Sequence, residues 1–380
     1  AIETAFILDR EQRTPTARER LLLERYCGFG GLKCILNPAR ELADAVHWTK
    51  SDLELFAPTV ELHRLIRENS KNESEYKQLM DSLKQSVLTA FYTPSAVTEA
   101  LTDVLKEHQI IPEKVLEPSA GIGAFVDSVL DNNPKADIMA FEKDLLTGKI
   151  LRHLHPEQKV RIEGFEKIEK PFNDYFDLAI SNIPFGDVAV FDPSYTAMKG
   201  MRALVTRRIH NYFFVKALDT VRDGGLVAFI TSQGVLNAKN NSAARFMMLY
   251  HADLVSAIRL PNNLFTENAN TEVGSDLIIL QKNSQKESLR GDDNLLDTVY
   301  NDENRIPTNN YFLEHPERII HTTAKLDTDP FGKPAMIYTH EDGVEGIAED
   351  LRKMLHEDFK KNLNLNRYLG IEETKAEEVK

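Results

Sequence analysis

Four short stretches carry residue types at spacings that could do chemistry. Glu117-Pro-Ser-Ala-Gly-Ile-Gly123 follows the apolar run Val115-Leu116 and precedes an apolar-periodic segment (Phe125, Val126, Val129, Leu130). It reads as strand, tight glycine turn, helix. Such a turn lets backbone N–H groups approach a ligand at the carboxyl edge of a sheet, although glycine turns also serve close packing. Glu142 closes the next apolar run, Ala136 to Phe141, about 20 residues beyond the glycines, where a carboxylate reaches ribose hydroxyls. Asp144 competes for that role. In Phe176 to Asp187 an apolar run stops at Ser181-Asn182, and Pro184 holds Ile183 extended. That aims the Asn182 amide, the Ile183 carbonyl and the Phe185 ring into one pocket, the plainer alternative being an Asn-initiated turn. The fourth stretch is Phe91-Tyr-Thr-Pro94. Pro94 sits where a helix takes proline at its first position, and the two aromatics suit either an adenine ring or a core.

The remaining chain must position these residues. Residues 1 to about 85 read as helical, with Thr16 and Glu19 at capping-box spacing. Gly28 to Gly31 breaks the pattern. No Lys-Ser or Lys-Thr follows these glycines, so they read as a hinge or close-packing turn rather than a phosphate loop. Ser51 to Met80 has apolar residues at helical spacing. Further strands are expected over Val160 to Ile162, Leu226 to Ile230, Asp253 to Leu260 and Ser275 to Gln281, the last two as an antiparallel hairpin at the sheet edge. Asn211 to Val221 reads as a helix ended by Asp223-Gly-Gly225. Tyr195 to His210, with Lys199, Arg202, Arg207 and Arg208, suits phosphate contact or a solvated loop. Past residue 285 the texture turns polar. Asp342 to Asn362 fits an amphipathic helix, and the acidic tail from Glu372 is expected to fray. The expected division is a helical region at 1–87, a core at 88–285 and a C-terminal extension at 286–380 that serves recognition or joins domains.

Composition excludes several classes. The 380 residues are 42% apolar and 28% charged, as in ordinary soluble proteins. A formal charge of −13 argues against wholesale electrostatic attachment to nucleic acid or an anionic membrane; any such contact needs a local basic patch. The two cysteines, Cys27 and Cys34, match no zinc pattern and indicate a reducing, cytoplasmic setting. No signal peptide or membrane-length apolar run is present. The chain opens on Ala1 without methionine, as a processed chain or a fragment would.

Taken in order, aromatic-Tyr-Thr-Pro, Glu-Pro-Ser-Ala-Gly-Ile-Gly, strand-end Glu and Asn-Ile-Pro-Phe resemble the S-adenosylmethionine-dependent N6-adenine DNA methyltransferases. The resemblance is to the group whose cofactor motifs precede the catalytic loop, and it covers about residues 88 to 283. The segment Arg25-Tyr-Cys-Gly-Phe-Gly-Gly-Leu32 is similar to large methyltransferase–helicase proteins of phages and conjugative elements. The resemblance implies a Rossmann-like class I methyltransferase: a seven-stranded, mostly parallel α/β sheet with an antiparallel edge hairpin. It implies S-adenosylmethionine as cofactor, double-stranded DNA as partner, a helicase region in a longer parent protein, and no metal. Phe91, Tyr92, Thr93 and Pro94 match the first cofactor motif. Glu117, Pro118, Ser119, Ala120, Gly121 and Gly123 match the methionine-binding turn, Glu142 the ribose acid, and Phe165 the adenine contact. Asn182, Ile183, Pro184 and Phe185 match the catalytic loop, where Ile183 replaces the family's first proline. The implied reaction is methyl transfer to N6 of an adenine turned out of the duplex. The same loop would serve a methyltransferase acting on RNA or protein glutamine, and the isoleucine would suit a catalytically inactive binding module.

Overall fold

A computed structural model describes the chain except residues 90–91, 199, 267–272, 290, 292, 301–304, 330–331 and 372–380, together with the side chains at 88 and 89. Phe91, Lys199 and the acidic tail therefore lie outside the described residues.

Seven strands form one sheet: β1 (Lys114–Glu117), β2 (Asp137–Phe141), β3 (Lys159–Arg161), β4 (Phe176–Asn182), β5 (Val221–Ser232), β6 (Ala252–Leu260) and β7 (Ser275–Lys282). Their order is β3-β2-β1-β4-β5-β7-β6. The first five are parallel, and β7 runs antiparallel between β5 and β6. This is the seven-stranded, mostly parallel sheet with an antiparallel edge that the sequence resemblance implies. The order reverses at β1, so the carboxyl ends of β1 and β4 flank the crevice where such sheets bind ligands. β5 starts earlier than its apolar run indicates. It takes in Asp223 to Gly225, and the β4–β5 register shifts between Phe176 and Leu178 to accommodate them.

Alternation along the strands divides the core between two faces. Val115, Ile138, Leu178 and Ala228 pack with α5 (Ser95–Glu107), α6 (Ala124–Asn132) and the long helix Gly343–Asn362. Leu116, Met139, Ala179 and Phe229 pack with the helices Ile209–Thr220 and Ser242–His251. Pro94 precedes α5 as its N-cap, one position before the expected first-turn site; the Pro94 carbonyl accepts the Val97 N–H at 3.1 Å.

A third cluster gathers the N-terminal helices: α1 (Ile2–Glu11), α2 (Ala17–Glu24), α3 (Phe56–Glu68) and α4 (Glu73–Thr89). Thr16 caps α2 with the expected Glu19 partner. These helices rest on α7 (Leu145–Leu154), which gives Leu146, Ile150 and Leu154 to the cluster and Leu151 to the sheet core.

The antiparallel edge is clamped by a buried ion pair. Arg259 on β6 faces Asp276 on β7 in register, at 2.9 and 3.2 Å, and also reaches the Asn237 amide oxygen at 3.0 Å. Arg259→Met should leave the Asp276 carboxylate buried without its cation, at a cost of roughly 3–5 kcal/mol read from urea unfolding at pH 7. Burial raises the Asp276 pKa. The deficit should therefore shrink as pH falls and that carboxyl takes up a proton.

Candidate active site

Two carboxyl groups sit at the ends of adjacent strands β1 and β2. Glu117 closes β1 and is 2% exposed; its Oε2 is buried and accepts no hydrogen bond among the described residues. Glu142 follows β2. Its Oε2 accepts the Gly121 N–H at 2.8 Å and its Oε1 accepts the Asp144 N–H at 2.7 Å. Glu142 is therefore tied to the glycine turn. Asp144 is instead the N-cap of α7, accepting the Thr147 N–H at 2.7 Å. Among the described residues neither glutamate is ion-paired. Burial, reinforced by the Asp144 charge, pushes Glu142 up to about 8, and burial holds Glu117 well above the usual carboxylate range.

The glycines divide their work. Gly121 and Gly123 both have positive φ, +55° and +94°, a region side chains rarely enter. A Cβ on Gly121 would stand 2.8 Å from the Tyr92 ring; one on Gly123 would stand 2.6 Å from His155 Nε2. Gly121 thus admits the aromatic of the Tyr-Thr-Pro motif, while Gly123 allows α6 to close on α7. The turn is braced by Ala120 N–H donating to the Phe141 carbonyl at 2.8 Å.

Asn182 ends β4, the neighbour of β1, in register with Ile230 of β5. Ser181 Oγ donates to the Ser119 carbonyl at 3.3 Å, joining the Asn182 loop to the glycine turn. Ile183 is 1% exposed, its side chain is in the core, and its N–H donates to the Ile230 carbonyl at 3.0 Å. Pro184 is half-buried, and the half-buried Phe185 ring stands edge-on to Phe265 with centroids 6.2 Å apart. Thr93 is buried, with no partner for its hydroxyl among the described residues.

The structure therefore brings Tyr92, Ser119, Gly121 and Glu142 together on one side, with Asn182 at the end of the next strand and Ile183, Pro184 and Phe185 in the loop after it. It turns Phe165 elsewhere: that ring is 1% exposed, packed against Phe141, Tyr212 and Phe213 in the core, and so forms no open wall for an adenine. The basic segment is also partly engaged. Arg202 bonds Asp219, and Arg208 bonds Asp187 at 3.0 Å and two asparagine amides, while Arg207 is exposed. Sequence reading missed Ser181 and Thr147. The Asp144-x-x-Thr147 spacing of a helix cap was available as a signal; the Ser181 bridge had none.

The family model for the N-6 DNA methylases matches residues 74–377. The chain belongs to that family. Its members take the methyl group from S-adenosylmethionine. The chain is 29% identical over 201 residues to the defense against restriction protein B of Escherichia phage P1, a stretch covering 51% of this chain and 8% of that protein. It is 25% identical over 173 residues to the type II methyltransferase M.XamI of Xanthomonas campestris pv. amaranthicola, covering 42% of this chain and 33% of that protein. The aligned stretches thus span a third or less of either relative. A type I restriction-modification methyltransferase subunit from Streptococcus thermophilus superposes with a TM-score of 0.43 at 14% identity, covering 84% of this chain and 70% of that one. Among the described residues, no helix is long and apolar enough to cross a membrane.

The residues fit a cationic cofactor. Buried Glu117 and half-buried Glu142, neither of them ion-paired among the described residues, border a turn that offers backbone N–H groups, and among those residues Glu117 Oε2 accepts no hydrogen bond. The folded pKa of Glu142 lies above the usual 4.5, so the stability it confers is complete below that value and is lost as pH rises toward about 8. Glu142→Gln, which carries no charge, should match the native chain below pH 5. At pH 8 it should be more stable by on the order of 1–3 kcal/mol in thermal melts of the cofactor-free protein.

Proposed function

We propose that the chain is a DNA adenine-N6 methyltransferase that moves a methyl group from S-adenosylmethionine to an adenine turned out of duplex DNA. The observation that carries this reading is the bridge from Ser181 to Ser119, which sets the Asn182 loop beside the glycine turn at the ends of neighbouring strands. When bound, the cofactor supplies a methyl group on an electron-poor sulfur. Gly121 and its neighbours in the turn, with Glu117 beneath, would hold its methionine end; the Glu142 carboxylate would accept ribose hydroxyls; Tyr92, Thr93 and Pro94 would close that side.

The exocyclic amine of adenine is a weak nucleophile because its lone pair is drawn into the ring. The Asn182 amide oxygen and the Ile183 carbonyl are two acceptors for its two N–H groups. Hydrogen bonding to both would favour a pyramidal nitrogen and turn its lone pair toward the methyl group. As the N–C bond formed, the methyl–sulfur bond would break, the sulfur would leave with its electron pair as a neutral thioether, and the surplus N6 proton would pass to water. This is positioning and electrostatic work and requires no strong base. Phe185 would stack on the extruded base. Residues 88–285 would be the catalytic core, flanked by 1–87 and 286–380. The setting would be the cytoplasm, within a longer protein of a mobile element that also carries a helicase region.

The packing of Phe185 on Phe265 and the loss of the first proline favour one rival, a methyltransferase fold that binds DNA or a partner without turnover. Tritiated methyl incorporation into mixed-sequence duplex DNA, denatured DNA, RNA and protein separates the readings. Asn182→Ala should lower incorporation into duplex DNA at least about 100-fold while calorimetric binding of S-adenosylmethionine stays within about threefold. Undiminished methylation by that variant would sink the mechanism, and no incorporation by the native chain would favour the binding module.

A further inference from the structure

The segment Tyr26 to Gly31 has no part in the reaction as described, yet it is built into the cofactor side of the molecule. Gly28 and Gly31 have φ of 72° and 75° and fold the chain back on itself. Gly31 N–H donates to the Val87 carbonyl at 2.9 Å, and Phe29 N–H donates to Ser86 Oγ at 3.4 Å, fastening the segment to the end of α4. Phe29 meets the Tyr26 ring edge-on, with centroids 5.9 Å apart. That leaves the Tyr26 phenol, 7% exposed, 3.2 Å from Thr147 Oγ1 across 121 positions of sequence.

Thr147 is a junction. The Tyr92 phenol lies 3.3 Å from the same Oγ1, and the Thr147 N–H donates to Asp144 Oδ1 at 2.7 Å. The two lone pairs of Oγ1 are enough to accept both phenols. From Thr147 the chain of bonds runs through Asp144 to Glu142 and on to Gly121, against which the Tyr92 ring rests. Ile122, between the two glycines, packs on the N-terminal cluster that contains Tyr26.

We propose that Tyr26 is a positioning residue for the cofactor. Through Thr147 it fixes the Tyr92 ring and the loop bearing Glu142, so that the segment Tyr26 to Gly31 is a structural wall of the S-adenosylmethionine site. The proposal rests on the cofactor reading of the glycine turn. Burial and the neighbouring acids hold the Tyr26 phenol above its usual pKa, so it stays a neutral donor. Its effect on affinity is pre-organisation: a wall already ordered is not ordered at the ligand's expense.

The test uses the whole chain and calorimetric titration with S-adenosylmethionine, with no need of a DNA site. Tyr26→Phe keeps the ring and removes one hydrogen bond. The dissociation constant should rise about three- to tenfold, the effect of one such bond. Thr147→Val should weaken binding more, Thr147→Ser should restore it, and Tyr26→Phe added to Thr147→Val should weaken it no further, because both act through the same oxygen. A merely structural Tyr26 would lower the melting temperature and leave the dissociation constant alone. Unchanged affinity in Tyr26→Phe, or effects that multiply in the double variant, would overturn the proposal. A native chain that does not bind the cofactor would overturn the cofactor reading and this proposal together, whereas binding without methylation of any substrate would leave this proposal standing and remove only the catalytic one.

Discussion

Two carboxyl groups with no ion pair among the described residues, Glu117 and Glu142, are the constraint around which this site is arranged. Burying a carboxylate is expensive unless it is hydrogen-bonded or paired, and the group otherwise answers by holding its proton. Glu142 is relieved in part by two backbone N–H donors, from Gly121 and Asp144, which lock the glycine turn to the start of α7. Glu117 has less relief, and its Oε2 is unused among the described residues. Such a pair is poorly suited to an empty site and well suited to a ligand that brings positive charge. A sulfonium and an ammonium on one small molecule meet that requirement.

The same economy of means appears at Ile183. A proline there would restrain its own backbone and bias Asn182 toward the extended region. Isoleucine cannot do so, but it has an N–H, and that N–H donates to the Ile230 carbonyl at the end of the β4–β5 ladder. Its side chain is buried with Leu116, Ala179 and Phe229. The backbone beyond Asn182 is thus held by sheet pairing and core packing. The substitution changes the means of restraint, which is compatible with a working loop.

Most of the sheet was legible because its strands are short apolar runs bounded by glycine, proline or acid, and because β1 and β4 end on, and β2 is followed by, residues too polar for their surroundings. The division of roles between Glu142 and Asp144 was legible only in part: both acids follow the same strand, Asp144-x-x-Thr147 has the spacing of a helix cap, and the hydrogen bonds assign Glu142 to the turn and Asp144 to the cap. The core packing of Phe165 was not legible for a similar reason, since an aromatic after a strand suits a ligand or a core equally well by type. The long helix Gly343–Asn362 was visible as an amphipathic pattern, but nothing in its sequence told that Leu351, Leu355 and Phe359 complete the layer over α5 and β6. Contacts between residues 100 or more positions apart, such as Tyr26 with Thr147, leave no periodic trace at all.

The position of α7 explains why a helical region so far from the Asn182 loop bears on the chemistry. One helix serves two cores: Leu151 faces the sheet, while Leu146, Ile150 and Leu154 face the N-terminal cluster. Close-packed interiors transmit displacement, because no void is available to absorb it. The first turn of α7 is capped by Asp144, whose N–H is held by Glu142. Any shift of α1 to α4 on α7 therefore reaches the Glu142 carboxyl within two hydrogen bonds. The N-terminal helices are in this sense part of the cofactor site's foundation, and the glycine-rich segment after α2 is where that foundation meets the turn.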